Sequence, residues 1–262
     1  MRLLFIGDIV GRPGREIVKR WVPEIRRRFQ IDWVIGNYEN SAHGFGITPK
    51  IYEELSPYID IWTGGNHSFD KREALPLFKK GLLLRPLNYY DGAPGHWFKE
   101  VEGLVVINGM GEYGMPCGRN PFRFLLKVLE EREEWRGKFI FIDFHGEATS
   151  EKNMLFYLLK GRVGGIIGTH THVGTDDLQI ESGTCYLTDI GLTGCRNGMI
   201  GFDPVPAVEG YLTGMKSRLD IPKKCKLIFQ GVVIEAVGPN AVKAFKLKGD
   251  WKKLEITQQV EG

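Results

Sequence analysis

The chain is short of cysteine, has no long apolar run and carries no excess of charge of either sign, and each shortage removes a class of protein. Its four cysteines, Cys117, Cys185, Cys195 and Cys225, form no C-x-x-C pair and no disulfide-like framework, so reduced thiols are expected. No stretch approaches the ~18 uninterrupted apolar residues of a membrane span, and the opening MRLLFIGD is too short for a secretory signal. A soluble, cytoplasmic protein with no membrane partner is the expectation. Lys and Arg number 35 against 32 Asp and Glu, a formal charge of +3. That balance is too mild and too evenly mixed to imply a nucleic-acid partner.

Missing motifs narrow the chemistry further. GDIVGRPG, after the first apolar run, matches neither G-x-G-x-x-G nor G-x-x-x-x-G-K-[ST], which removes a nucleotide-fold reading. G-x-S-x-G does not occur, and the scattered thiols suggest no cysteine nucleophile.

What is present is a regular alternation. With 42% hydrophobic and 11% aromatic residues the chain can bury a large core, and one domain over residues 1–262 accommodates it. Short apolar runs at Leu3–Ile6, Trp33–Ile35, Ile59–Trp62, Leu104–Ile107, Phe139–Ile142 and Gly165–Ile167 read as buried strands. Between them lie helical patterns such as Ile17, Trp21, Ile25 and Phe29, with Pro13 suited to a first turn and Pro23 expected to kink or restart the helix. Arg26-Arg27-Arg28 reads as the solvated helix end. Strand, polar loop and helix in repetition predict an α/β fold. From Thr184 the pattern turns β-rich, with a hairpin about Gly238-Pro239-Asn240. A second sheet packed on the first is expected there, giving two packed mixed sheets flanked by helices.

The strand ends carry the chemistry. They read Gly7-Asp8, Asn37-Tyr38-Glu39-Asn40, Gly64-Gly65-Asn66-His67, Asp143-Phe144-His145 and His170-Thr171-His172. In α/β sheets, ligands gather outside the carboxyl ends of strands. Were these strands in one sheet, the carboxylates Asp8 and Glu39, the carboxamides Asn40 and Asn66 and the imidazoles His67, His145, His170 and His172 would converge. Such mixed oxygen and nitrogen donors suit first-row transition metals. They exceed the needs of one ion and match two ions roughly 3.5–4 Å apart sharing a carboxylate. In extended backbone His170 and His172 would share a face.

The ordered blocks GD (Gly7, Asp8), ENSAHG (Glu39 to Gly44), GNH (Gly65 to His67), FHGEATSEK (Phe144 to Lys152) and GTHTHVGT (Gly168 to Thr175) resemble the calcineurin-like metallophosphoesterase superfamily. They are more closely similar to its YmdB-like bacterial phosphodiesterase branch: Asp8 is followed by Ile9 and Val10 rather than by x-His, and Glu39 stands where the superfamily usually has a bridging Asp. The resemblance implies a metallophosphoesterase-like αββα sandwich and two divalent ions, Fe or Mn before Zn or Mg. It places Asp8, Glu39, Asn40 and His172 around one ion and Glu39, Asn66, His145 and His170 around the other. It makes His67 the general acid. It also implies small cyclic nucleotides, 2′,3′- or 3′,5′-, as substrates, and a homo-oligomer.

Other residues stay open. His43 lines the phosphate pocket or buttresses Asn40; Asp143 orients His145 or forms a strand-end turn. Glu147 and Ser150 are read as capping the next helix, and His96 as surface. Tyr38, Phe45, Tyr113 and Phe202 stack a base or belong to the core. Glu112 in the loop 109–120 occupies a position where the family resemblance leads one to expect Arg. Two other functions compete with a small-molecule phosphodiesterase: a nuclease, which needs a basic groove beside the metals, and a metal-dependent regulatory protein with little turnover.

Overall fold

The computed structural model describes residues 1–215 and 217–262. The first half alternates β1 (Arg2–Ile6), α1 (Gly11–Phe29), β2 (Trp33–Asn37), α2 (Pro49–Leu55), β3 (Ile61–Thr63) and the short α3 (Leu75–Lys79). It continues through β4 (Phe98–Val101), β5 (Leu104–Met110), α4 (Pro121–Glu131), β6 (Phe139–His145), α5 (Thr149–Leu159) and β7 (Gly165–Thr169). Thereafter come β8 (Gln179–Glu181), β9 (Thr184–Leu187), β10 (Gly194–Cys195), α6 (Pro204–Thr213), β11 (Leu227–Val237), β12 (Asn240–Gly249) and β13 (Leu254–Glu261).

The local sequence accounts for the helix ends. The side chains of Thr48, Asn120 and Asp203 accept N–H bonds at the starts of α2, α4 and α6. α1 buries Ile17, Val18, Trp21, Val22 and Ile25, sets Arg26, Arg27 and Arg28 at its negative dipole end, and stops at Gln30 in the left-handed conformation. It runs through Pro23 as one 19-residue helix, so the expected restart does not occur.

Two mixed sheets form. One has the order β13-β12-β11-β1-β2-β3, with β10 also pairing β11, and the other β4-β5-β6-β7-β9-β8. In the first, β1, β2 and β3 run parallel while β11 lies antiparallel to β1. In the second, β5, β6, β7 and β9 are parallel, with β4 and β8 antiparallel at the edges. Leu3, Phe5, Ile35, Val106, Phe141, Ile167 and Ile234 pack between the sheets, with the Phe5 and Phe141 rings 5.0 Å apart. The outer face of the first sheet is covered by α1 and α2, and that of the second by α4 and α5. The result is an αββα sandwich.

The expected class holds, with a different division of strands. β11 and β12 do form the hairpin, Val237 opposite Asn240, but they extend the first sheet by pairing with β1. The second sheet comes from the middle of the chain. An apolar run shows that a strand is buried and not which strand lies beside it. The third strand also begins later than expected, at Ile61.

The cysteines need a second correction. β10 pairs with the start of β11, Cys195 opposite Leu227, and this brings Cys195 to Cys225, with which it forms a disulfide at a Cα separation of 5.3 Å. A spacing of 30 residues gives no sequence signal for such a pair. Cys117 and Cys185 are free.

Gly168 marks a close approach between β7 and the loop after β9. A β-carbon there would fall on the Thr188 carbonyl oxygen, and the Ile190 N–H already bonds the Gly168 carbonyl at 3.0 Å. Gly168→Ala is therefore expected to lower the free energy of unfolding by about 1–3 kcal/mol, the usual cost of overpacking. Urea denaturation measures it, and an unchanged midpoint would mean that the loop gives way freely.

Candidate metal centre

The parallel strands of both sheets end at one side of the sandwich, and the loops leaving them bring the expected donors together. Asp8 follows β1, Glu39 and Asn40 follow β2, Asn66 and His67 follow β3, His145 closes β6, and His170 and His172 follow β7. Gly65 is required by this convergence, since a β-carbon there would overlap the His145 ring. Asn108, at the end of β5, clamps the same turn by accepting the Gly64 N–H and donating to the Gly64 carbonyl, both at 2.9 Å.

The donors lie in two adjoining groups. In one, His145 Nε2 is 3.1 Å from Asn66 Oδ1, 3.0 Å from His170 Nδ1 and 3.5 Å from Glu39 Oε1. In the other, His172 Nε2 is 3.1 Å from Asn40 Oδ1 and 4.0 Å from Asp8 Oδ1. Asp8 Oδ1 also lies 3.7 Å from His145 Nδ1. The first group gathers Glu39, Asn66, His145 and His170, and the second Asp8, Asn40 and His172; Glu39, expected at both ions, is placed by these distances only in the first. Among the described residues, no three His, Cys, Asp or Glu side chains already surround a common point; each group includes an asparagine carboxamide.

His170 and His172 do not reach these groups from an extended strand. β7 stops at Thr169, and the two histidines have φ of 99° and 65°. The shared-face expectation is thus corrected: a left-handed turn sends the rings to separate groups.

Burial dominates the electrostatics of the site. Asp8 Oδ1 and Glu39 Oε2 are buried with no hydrogen-bond partner among the described residues. Burial pushes the Asp8 carboxyl up to about 7, and the Asp189 carboxylate adds to the rise. Burial raises Glu39 well above the ordinary carboxylate range. It also holds His145 well below the usual imidazole range, reinforced by the His170 ring, and lowers His172. His170 falls to about 4 through burial, although Glu147 at 3.0 Å pulls the other way. Neutral imidazoles offer their lone pairs, and carboxyls that burial tends to protonate would give their protons up to solvent on binding a cation. The residues present therefore fit divalent metal.

Asp143 acts on His145 through an intermediary. Thr169 Oγ1 donates to Asp143 Oδ1 at 2.7 Å and stands 3.0 Å from His145 Nδ1. With the hydroxyl proton committed to Asp143, His145 donates its Nδ1 proton and keeps the Nε2 lone pair for the cluster. Asn37 completes the chain, donating to Asp143 Oδ2 at 2.9 Å and accepting the Glu39 N–H. Thr169 was missed because a strand-end threonine has no distinctive pattern, although it stands inside GTHTH.

His67 lies at the open side. Its backbone N–H donates to Glu39 Oε1 at 2.6 Å, its Nδ1 meets Asp70 Oδ2 at 2.7 Å, and its ring abuts Phe45 edge-on at 4.9 Å. Phe45 in turn stacks on the buried Phe202. Asp70 stands three residues after the GNH block, with no sequence pattern to mark it.

The remaining readings divide. Tyr38 is fully buried and donates to the Leu84 carbonyl, so it offers no base-stacking face, whereas Tyr113 is exposed. His43 is exposed, and among the described residues its side chain makes no hydrogen bond, which removes the buttress for Asn40; Asn40 bonds the Gly44 carbonyl instead. His96 is exposed, as expected. Neither Glu147 nor Ser150 caps α5, whose cap residue is Ala148 with no side-chain bond. Glu147 turns to His170. Glu112 bonds Asn120 across its own loop.

A two-sheet α/β sandwich with paired oxygen and nitrogen donors at one end is the architecture expected of a metallophosphoesterase. The chain belongs to the YmdB-like family, whose model, described as YmdB-like protein, matches residues 4–247. A Bacillus subtilis protein named 2′,3′-cyclic-nucleotide 2′-phosphodiesterase is 39% identical over 255 residues, covering 95% of this chain and 96% of its own. Among solved structures, a hypothetical protein from Thermus thermophilus superposes with a TM-score of 0.88 at 35% identity, over 95% of this chain and 99% of its own. A Mycoplasma pneumoniae structure described as a novel phosphatase also gives 0.88, at 30% identity, over 95% and 93%.

Replacing Thr169 tests the relay. Thr169→Val keeps the shape and deprives buried Asp143 and His145 of their shared hydroxyl, so unfolding free energy should fall by about 1–3 kcal/mol. Thermal and urea melts read this directly; no change would show that the hydroxyl is not bonded as described.

Proposed function

We propose that this protein is a two-metal phosphodiesterase acting on small cyclic nucleotides. The observation that carries the reading is the pair of buried, unpartnered carboxylate oxygens of Asp8 and Glu39, set among neutral imidazoles and carboxamide oxygens. Asp8, Glu39, Asn40 and His172 would hold one ion, and Glu39, Asn66, His145 and His170 the other. When bound, such ions neutralise phosphoryl charge and make water nucleophilic near neutral pH. Fe and Mn suit the nitrogen and oxygen set, with Zn or Mg as alternatives.

The chain's own residues supply the remainder. His67, held by Asp70 at Nδ1 and abutting Phe45 edge-on, has its Nε2 left to protonate the departing oxygen. Glu39 couples the two elements, because its Oε1 accepts the His67 backbone N–H while its Oε2 remains free for metal. The Bacillus subtilis relative's name favours 2′,3′-cyclic nucleotides over the 3′,5′ isomers. The expected homo-oligomer has one surface in its favour, α6, which buries no residue and exposes Val205, Tyr211 and Leu212. No helix among the described residues is long and apolar enough to cross a membrane.

Chelator-treated protein should lose activity on a 2′,3′-cyclic nucleotide and regain it with Mn²⁺ or Fe²⁺, as followed by product chromatography alongside elemental analysis. Persistent activity without metal would remove the two-metal reading. Glu39→Ala should abolish metal uptake and turnover together. His67→Ala should retain its metal and lose on the order of 10²–10⁴-fold in kcat, the usual worth of a general acid. Full turnover in that variant would end the acid assignment. A substrate panel including short RNA separates the nuclease alternative, whose binding would weaken steeply with salt.

A further inference from the structure

FHGEATSEK supplies a buried cation that the proposed chemistry does not use. Lys152, on α5, and Asp189, in the loop after β9, are each 1% exposed, and Lys152 Nζ donates to Asp189 Oδ2 at 2.8 Å. The same oxygen accepts the Thr171 hydroxyl at 2.8 Å and the Thr171 N–H at 3.1 Å. The other oxygen accepts the Gly191 N–H at 2.8 Å. Asp189 therefore grips Thr171 twice, and Thr171 is the residue between His170 and His172.

The grip falls where the backbone resists. Left-handed φ is costly for a residue with a β-carbon and persists only where the surroundings impose it. His170 and His172 both adopt it, at 99° and 65°. That turn carries His170 Nδ1 to within 3.0 Å of His145 and His172 Nε2 to within 3.1 Å of Asn40. Asp8 ties the turn a second time, accepting the His170 N–H at 3.2 Å. Asp8 is itself one of the donors; outside them the turn is held by Asp189 at Thr171 and, at His172, by the Leu192 N–H on its carbonyl at 3.3 Å and by the Ile200 carbonyl 2.6 Å from its Nδ1.

We infer that the Lys152–Asp189 pair is a positioning device for the His170–His172 turn, holding Thr171 so that one imidazole reaches each donor group. The inference rests on the two-metal reading. Neither Lys152 nor Asp189 touches substrate; both act through the turn. Lys152 supplies the counter-charge beside the buried Asp189 carboxylate, where an isolated charge would be strongly disfavoured.

The test is equilibrium dialysis of metal-free protein against Mn²⁺, a readout independent of turnover. In Lys152→Met/Asp189→Leu both charges are removed, so no uncompensated ion is buried, while the Thr171 and Gly191 donors lose their acceptor and the melting temperature should fall without loss of the fold. Its Mn²⁺ affinity should fall on the order of 10–100-fold, as when groups behind metal ligands are removed. A folded double variant with wild-type affinity would overturn the inference while leaving the two-metal reading intact. Wild-type protein that takes up no Mn²⁺ would overturn both. Should the double variant not fold, Thr171→Val decides: it keeps both charges and loses the hydroxyl bond, and its affinity should fall roughly tenfold. An unchanged value there would equally overturn the inference.

Discussion

The structure depends on two carboxylates placed where water does not reach. Asp8 and Glu39 are buried, and each leaves one oxygen without a donor. Ionised carboxylates in such surroundings are expensive unless paired or bound to metal. The nearest groups are neutral imidazoles, which offer lone pairs rather than charge. A cation would satisfy the whole set at once.

Supporting contacts keep this arrangement from relaxing. The Asn37–Asp143–Thr169 chain holds His145 from behind, Asn108 fixes the glycine turn that lets Asn66 approach, and Asp189 fixes the turn between the two later histidines. These supports come from both sheets, so the centre spans the seam of the sandwich. Phe5 and Phe141, packed across that seam, bind the two halves into one core.

The donors were unusually legible because each follows an apolar run, and strand ends are where α/β proteins present ligands. Asp8, Glu39, Asn40, Asn66, His145, His170 and His172 all come together, and His67 stands beside them. The supports were less so. Thr169, Asp70 and Asp189 resemble any polar residue in a loop, and Glu147 looked like a helix cap until its carboxylate proved to face His170. Tyr38 looked available for a ligand; its phenol is instead committed to a buried carbonyl. The Cys195–Cys225 pair depends on the pairing of a two-residue strand that leaves no periodic trace.

The amino-acid sequence alone determined the main alternation of strand and helix, the α/β class and the polar residues at the strand ends, because apolar periodicity and polar strand ends are local properties of the chain. Tertiary structure decided which strands share a sheet, that β11 rather than a middle strand lies beside β1, and that His170 and His172 diverge through left-handed backbone. Those outcomes depend on contacts between residues far apart in the chain, such as Thr171 with Asp189 and Thr193 with Asp8. Only packing can choose among pairings that local pattern leaves equally open.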